Sequence, residues 1–434
     1  MSQRSATTAP PLRQMLEGLI SVPSVSSVNP HLDQSNRPVL DLLAGWLEDA
    51  GFRVEMLPLP GQPEKANLVA TLGGHGPRGS GSGSTGSGSR TEPGSSGMGS
   101  TPMSSTGLAA SGLGKLGSEA LSGLVLSGHA DTVPFDEHLW RYDPLRLTEA
   151  DGRLYGIGTA DMKSFLGLAI EAARGFRPAD MKRPLILLAT ADEESAMHGA
   201  RALVESGRTL GRHAIIGEPT NLRPVRAHKG VMAEAIRLTG RSGHASDPSL
   251  GNNALEGMHE VLTALLAWRD ELKRRHRDPA FAIDHPTMNV GHIHGGDNFN
   301  RICGHCELHL DIRPLPHQEP EQLRAELREI IAPIAERREL ALEIEPLFPS
   351  IPPAETATGA AIVQAAEALT GHHAESVSFG TEAPFLNALG METIVFGPGD
   401  IAQAHQPNEY LALDRIPPML GYLRQLIQRF CVDD

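Results

Sequence analysis

LILLATADEE, residues 185–194, opens as a continuous apolar run and closes on three consecutive acids. Such a run, too short for an ordinary helix and bounded by polar residues, marks a strand covered on both faces. LVLSGHAD at 124–131 repeats the pattern and ends in a histidine and an acid, while HAIIGEP at 213–219 ends in Glu218. METIVFGPG at 391–399 runs on into QAHQP and His405. RVEMLPL at 53–59 and NLVATLG at 67–73 add two strands, and helix-length segments lie near 11–19, 37–51, 164–175 and 198–206. Strands alternating with helices predict an α/β class fold, a sheet flanked by helices.

The middle of the chain has another rhythm. VMAEAIRLTG, a helix near 252–275, PTMNVGHIHG, ICGHCELHLDIRP, a helix near 318–337 and LALEIEPL predict an inserted ferredoxin-like βαββαβ unit. A last helix is expected near 416–430. The domains implied are 1–226 and 347–434 as two parts of one unit, with 227–346 inserted between them. The tract 74–123, rich in Gly and Ser, is expected to be a flexible surface insertion between two strands of one domain.

Composition narrows the partners. With 38 basic against 52 acidic residues the chain carries −14, which disfavours nucleic acid. The basic run Lys273, Arg274, Arg275, His276, Arg277 reads as a solvated helix face. No apolar stretch spans a bilayer and the first residues lack a signal-peptide core, so no membrane partner and a cytoplasmic location are expected. Three cysteines, Cys303, Cys306 and Cys431, are too few for a disulfide framework. The CxxC among them is expected to hold inert thiols.

Four strands ending in acids or histidine predict a site, because ligands of open α/β sheets bind beyond the carboxyl ends of the strands. His129 and Asp131, two apart, share a face if the strand continues, and Asp131 then sits where a second group can orient a metal-binding imidazole. Asp161 in GTADMKS opens a helix; it is either an N-cap or a carboxylate able to hold two cations. Glu193 and Glu194 alternate in direction, so one is expected on a metal and the other free to carry a proton. Glu218 and His405 complete a set of oxygen and imidazole donors without thiolate, suited to zinc, cobalt or manganese at a catalytic site. Two divalent ions bring about +4, against about −3 from Asp161, Glu194 and Glu218 and about −1 from a bridging hydroxide, which favours two ions over one.

GHADTVPF, YGIGTADMKS, ATADEES, IIGEPT, GRSGHASDP, NRIC, DIRPLP and QAHQPNEY together resemble the dinuclear zinc deacylases, the family of acetylornithine deacetylases, succinyl-diaminopimelate desuccinylases, aminoacylases and carboxypeptidase G. The motifs are most similar to the acetylornithine deacetylase group, and the resemblance spans the chain outside the Gly/Ser tract. It implies a zinc-exopeptidase-like mixed sheet and hydrolysis of the amide of a small N-acylamino acid, N2-acetyl-L-ornithine above all, in arginine biosynthesis. The related alternatives are N-succinyl-diaminopimelate, N-acetylcitrulline or another N-acylamino acid. It implies two divalent ions, zinc with cobalt able to substitute: His129 and Glu218 on one, Glu194 and His405 on the other, Asp161 bridging. Glu193 becomes the general base, and Asn300 and Arg313, reached through Gly295 and Gly296, the holders of the substrate carboxylate. His244 corresponds to a histidine that a homodimer partner lends to the site. Ala130 and Ser164 depart from the family pattern without removing a ligand.

Overall fold

A computed structural model describes residues 9–73 and 122–434. The Gly/Ser tract expected to be flexible lies outside the described residues, save for Ser122 and Gly123. The first part of the chain forms β1 (Arg53–Leu59), β2 (Gln62–Leu72), β3 (Leu124–His129), β4 (Thr148–Ala150), β5 (Arg153–Tyr155), β6 (Leu185–Thr190), β7 (His213–Ile216) and β8 (Val225–His228). The middle gives β9 (Met232–Thr239), β10 (Thr287–Gly295), β11 (His305–Arg313) and β12 (Ala341–Pro346). The end adds β13 (Ala354–Glu355), β14 (Glu375–Val377), β15 (Glu392–Val395) and β16 (Tyr410–Ala412).

The large sheet is mixed and runs β1-β2-β6-β3-β7-β15-β8-β13, with β14 also on β8. Its centre, β6, β3, β7 and β15, is parallel. Every residue of β3, β6 and β7 is buried, which explains their unbroken apolar sequence: helices cover both faces. One face packs on α1 (Leu12–Ser21), α2 (Arg37–Asp49) and α3 (Lys163–Ala173), and the other on α4 (His198–Glu205). The strands flanking the Gly/Ser tract, β2 and β3, both pair with β6 in one sheet.

The second sheet, β10-β11-β9-β12, is antiparallel throughout, the ferredoxin-like order. Helices α5 (Ala254–Arg275) and α6 (Pro320–Arg337) close one of its faces over Met232, Ile236, Leu238, Leu308, Leu310 and Ile312. The run at 273–277 ends α5, where basic side chains meet the negative end of the helix; Arg275 pairs with Glu326 and Arg277 with Asp284. All three cysteines are free and buried, as expected of inert thiols. Among the described residues no helix is long and apolar enough to cross a membrane. The chain closes through α7 (Ala361–Thr370), α8 (Ala383–Ala388) and α9 (Ile416–Ile427), the first two not foreseen in the sequence.

Packing reaches the site through Gly217, which joins β7 to Glu218. A Cβ built there would lie 1.9 Å from the ring of Phe165, a fully packed residue of α3. Only glycine lets α3 press against the strand end that carries Glu218. Gly217→Ala should therefore cost about 1–3 kcal/mol by overpacking, seen as a lower denaturant midpoint in equilibrium unfolding. An unchanged midpoint would show that Phe165 does not seat Glu218.

Candidate metal centre at the parallel strand ends

The parallel strands point their carboxyl ends to one rim. In register, His129 faces Thr190 across β3 and β6, and Ser127 and Val395 both face Ile216, two residues before Glu218. His129 is 1% exposed. Its Nε2 lies 3.0 Å from Asp161 Oδ1 and 3.8 Å from Glu218 Oε1. Its Nδ1 lies 3.0 Å from the backbone carbonyl of Asp131, a contact that places a proton on Nδ1 and leaves Nε2 as the atom that faces the carboxylates.

Asp131 stands beside the same imidazole with both its carbonyl and its carboxylate. The strand stops at His129, so the expected shared face is lost, and the Asp131 carboxylate stands 3.8 Å from Nδ1. Its carbonyl orients the ring instead, while Oδ2 accepts the Glu194 N–H at 3.1 Å. Asp131 thus ties the first strand end to the acidic turn. Burial raises its pKa and outweighs the lowering by His129.

Asp161 is not an N-cap. Helix α3 starts at Lys163 with Met162 at the cap position, and Asp161 turns inward. Oδ1 faces His129, and Oδ2 is 3.6 Å from His405 Nε2, so one carboxylate addresses two histidines on opposite sides. The loop that delivers it is held by Glu409, which accepts the N–H groups of Gly158 (3.1 Å), Ala160 (2.7 Å) and Asp161 (3.0 Å). Burial pushes Glu409 up to about 8. Lys163, fully buried and lowered to about 7 by burial, donates to the carbonyls of Val22 (2.8 Å) and Leu19 (3.3 Å) at the end of α1. Both residues lie within the motifs YGIGTADMKS and QAHQPNEY, whose pattern gives neither of them a role.

Glu193 and Glu194 lie in a turn, not on a strand, because β6 ends at Thr190 and Asp192 takes φ +66°. The turn, rather than strand alternation, gives them different surroundings. Glu194 Oε2 is 3.0 Å from His405 Nε2. Glu193 groups instead with His129 and Glu218, and His129, Asp161 and Glu194 make a second group, each with potential donor atoms within 4.8 Å of one another. Glu193 thus sits among groups able to hold a cation as well as among groups able to use a proton. Beneath the turn, Asp192 accepts from Lys65 at 2.7 Å and also bonds Ser26 and His198. Lys65 itself reaches Asp33 at 2.6 Å. Burial opposes ionisation of Asp192, but His198, Lys65 and Ser26 prevail and hold its carboxyl well below the usual range.

The electrostatics are those of crowded acid. Burial raises Glu193 and Glu218 well above the ordinary glutamate value, and the neighbouring carboxylates push the same way; Glu194 is raised too. Burial disfavours charge on His129, yet the bond to Asp161 and the fields of Glu218 and Glu193 raise it well above its ordinary value. Burial likewise opposes the Asp161 anion, and His129 more than compensates, so its pKa is lowered. The Glu194 bond lifts His405, whose side chain is half exposed, to about 9. Below the rim, Glu382 bonds Thr190 Oγ1 at 2.8 Å, keeps Oε1 without a partner, and rises to about 7 through burial.

His244, Asn300 and Arg313 lie on the inserted unit. His244 is exposed and bonds Ser246; its strand-like segment bridges Arg301, and the Ala245 N–H donates to the Asn300 carbonyl at 2.9 Å. Arg313 meets Asp311 through two bonds of 2.8 and 2.9 Å. Among the described residues no hydrogen bond or ion pair joins these three to the cluster around His129.

The sequence matches the model of "Peptidase family M20/M25/M40" over residues 125–429. An acetylornithine deacetylase of Edwardsiella ictaluri is 46% identical over 425 residues, covering 98% of this chain and 99% of that one. Another, from Pasteurella multocida, is 44% identical over 422 residues, covering 97% and 98%. The crystal structure of an M20 family metallo-carboxypeptidase from Sulfolobus solfataricus shares the fold, with a TM-score of 0.67, 15% identity and coverage of 97% and 99%. A family match over the core of both sheets, relatives aligned end to end and a rim of acids and histidines agree: the chain belongs to peptidase family M20/M25/M40.

Proposed function

We propose that the protein is an acetylornithine deacetylase, a metal-dependent amidohydrolase that splits N2-acetyl-L-ornithine into L-ornithine and acetate in arginine biosynthesis, in the cytoplasm and as a homodimer. The observation that carries the hydrolase reading is Asp161, whose two oxygens face His129 and His405 at 3.0 and 3.6 Å. The substrate reading is supported by the relatives at 44 and 46% identity over nearly the whole chain.

The donor set fits two divalent cations. His129 has committed Nδ1 to a carbonyl and has Nε2 to offer, no thiolate is present, and the acids of the rim have no Lys or Arg partner among the described residues. His129 and Glu218 would hold one ion, Glu194 and His405 the other, and Asp161 both; zinc suits these donors, and cobalt can replace it. When bound, the ions supply acidity to a water molecule and Lewis-acid stabilisation of the acyl oxygen.

The chain's own residues do the rest. Glu193, held protophilic by burial and by Glu218, takes the proton as the water hydroxyl joins the acyl carbon, and returns it to the leaving α-amine as the C–N bond breaks. The bond of the Glu194 N–H to Asp131 and that of Lys65 to Asp192 hold the turn that carries Glu193 from both sides. The inserted unit, 227–346, serves as lid and dimer contact between the catalytic parts 1–226 and 347–434. Its His244 donates to the acyl oxygen in the partner's site. Asn300 and Arg313 hold the α-carboxylate, Arg313 through donors that its bonds to Asp311 leave over.

A panel of purified substrates tests the substrate reading: kcat/KM for N2-acetyl-L-ornithine should exceed that for N-succinyl-diaminopimelate, N-acetylcitrulline and dipeptides, and a higher value for any of these would replace it. Glu193→Gln should lower kcat by roughly 10²–10⁴-fold with zinc content by elemental analysis unchanged; retained turnover, or lost zinc, contradicts the base assignment. Metal uptake by stripped enzyme should release protons. His405 is cationic below about 9 and the raised Glu193, Glu194 and Glu218 keep protons to higher pH than free carboxyls, so entering cations displace them and lower pH weakens uptake. Calorimetry in buffers of different ionisation enthalpy reads that release, and enthalpies independent of buffer would refute it.

A further inference from the structure

A second set of metal-ligating side chains stands on the inserted sheet, with no residue in common with the rim cluster. On β10 and β11, His292 lies directly opposite His309, and His294 opposite Glu307. Register alone places these four as a two-by-two block. The pairing shifts between Val290 and His292, leaving Gly291 as the extra residue. Val290 is opposite Leu310, which is buried under the helices. By strict alternation His292 would follow Val290 onto that covered face; the inserted residue reverses the alternation, so His292 and His294 join His309 and Glu307 on the free face.

The side chains already meet. The rings of His292 and His309 are 4.7 Å apart between centroids, and those of His292 and His294 are 6.4 Å apart. His309 Nε2 is 2.6 Å from Glu307 Oε1. His292 and His294 are exposed, and His309 and Glu307 keep 29% and 24% of their side-chain surface. Arg237 of β9 neutralises Glu307 in part, at 3.3 Å, and is shared with Glu345 at 2.9 Å. Two imidazoles on one strand, a third across from them and a carboxylate beside it are borderline donors that favour nickel, copper and zinc over calcium or magnesium. The donor atoms do not yet converge on one point; closing on an ion exchanges the His309–Glu307 bond for coordination and turns side chains that are free to rotate.

We propose that His292, His294, His309 and Glu307 form a second, surface transition-metal site that takes one late first-row divalent cation and cross-links the edge strand β10 to β11. It rests on none of the residues of the catalytic reading, and its test is read separately. Full-length enzyme loaded with two zinc ions per chain and no more, the number the rim takes, is dialysed against micromolar Ni2+, and both metals are counted by elemental analysis. The expected result is nickel bound beyond an unchanged zinc content. In His292→Ala/His309→Ala the nickel affinity should fall by about tenfold or more, the scale on which lost ligand support weakens a metal site. Circular dichroism and retained deacylase activity check the fold of that variant. His372→Ala/His373→Ala, which removes an adjacent histidine pair elsewhere in the sequence, should bind nickel as the parent does. No nickel uptake, uptake only at the expense of zinc, or uptake undiminished in the His292/His309 variant would overturn the proposal.

Discussion

Four carboxylates, Asp161, Glu193, Glu194 and Glu218, converge on one buried imidazole with no ammonium or guanidinium group paired to them among the described residues. Buried like charges at this spacing cannot all ionise in the absence of a counter-charge. The chain answers with protons: the three glutamates are raised above their ordinary values, and so is His129. Cations of charge two answer better. The rim is therefore an arrangement that folding alone does not favour, and much of the surrounding structure is explained by the need to hold it.

That holding is done by contacts one step back from the rim. Glu409 gathers three backbone N–H groups of the Asp161 loop, a carboxylate doing for a loop what a cap does for a helix. Lys65 spans Asp33 and Asp192 under the acidic turn, compensating one buried acid where the rim compensates none. Phe165 presses on Gly217 so that β7 ends where Glu218 reaches His129. In each case a group fixed by burial sets the backbone of a rim residue, which leaves that residue's side chain free of structural duty. The left-handed φ of Asp192 and of His405 falls at the two segments that carry Glu194 and its partner.

What the sequence made legible follows the same division. Parallel strands buried on both faces leave long apolar runs, so β3, β6, β7 and β15 and the acids after them could be found by eye, and so could the βαββαβ order of the inserted unit. The alternation argument failed at Asp131 and at Glu193 and Glu194, because it assumed strands that continue, whereas β3 and β6 stop at His129 and Thr190. Pattern reasoning extends a strand until something breaks it, and here the break is made by tertiary bonds between the two loops. Glu409, Lys65 and Glu382 escaped for a related reason: each is an acid or base whose burial depends on distant segments, and a single charged residue carries no local mark of that.

The two sheets also separate two kinds of constraint. Residues at the parallel rim are bound to one another, so a change in any of them disturbs the charge balance of all. The inserted unit carries its candidate substrate contacts on its own backbone: His244 and Asn300 belong to segments joined through Ala245, and Arg313 is oriented by Asp311. A shift of that unit moves these groups together while the rim stays as it is. Under the proposed function, selection of the acyl group and the amino acid falls to the antiparallel sheet and its loops, and hydrolysis to the parallel one. The metallo-carboxypeptidase that shares this fold at 15% identity shows how little of the sequence the two-sheet arrangement itself requires, so the residues of either sheet can change while the frame that holds them persists.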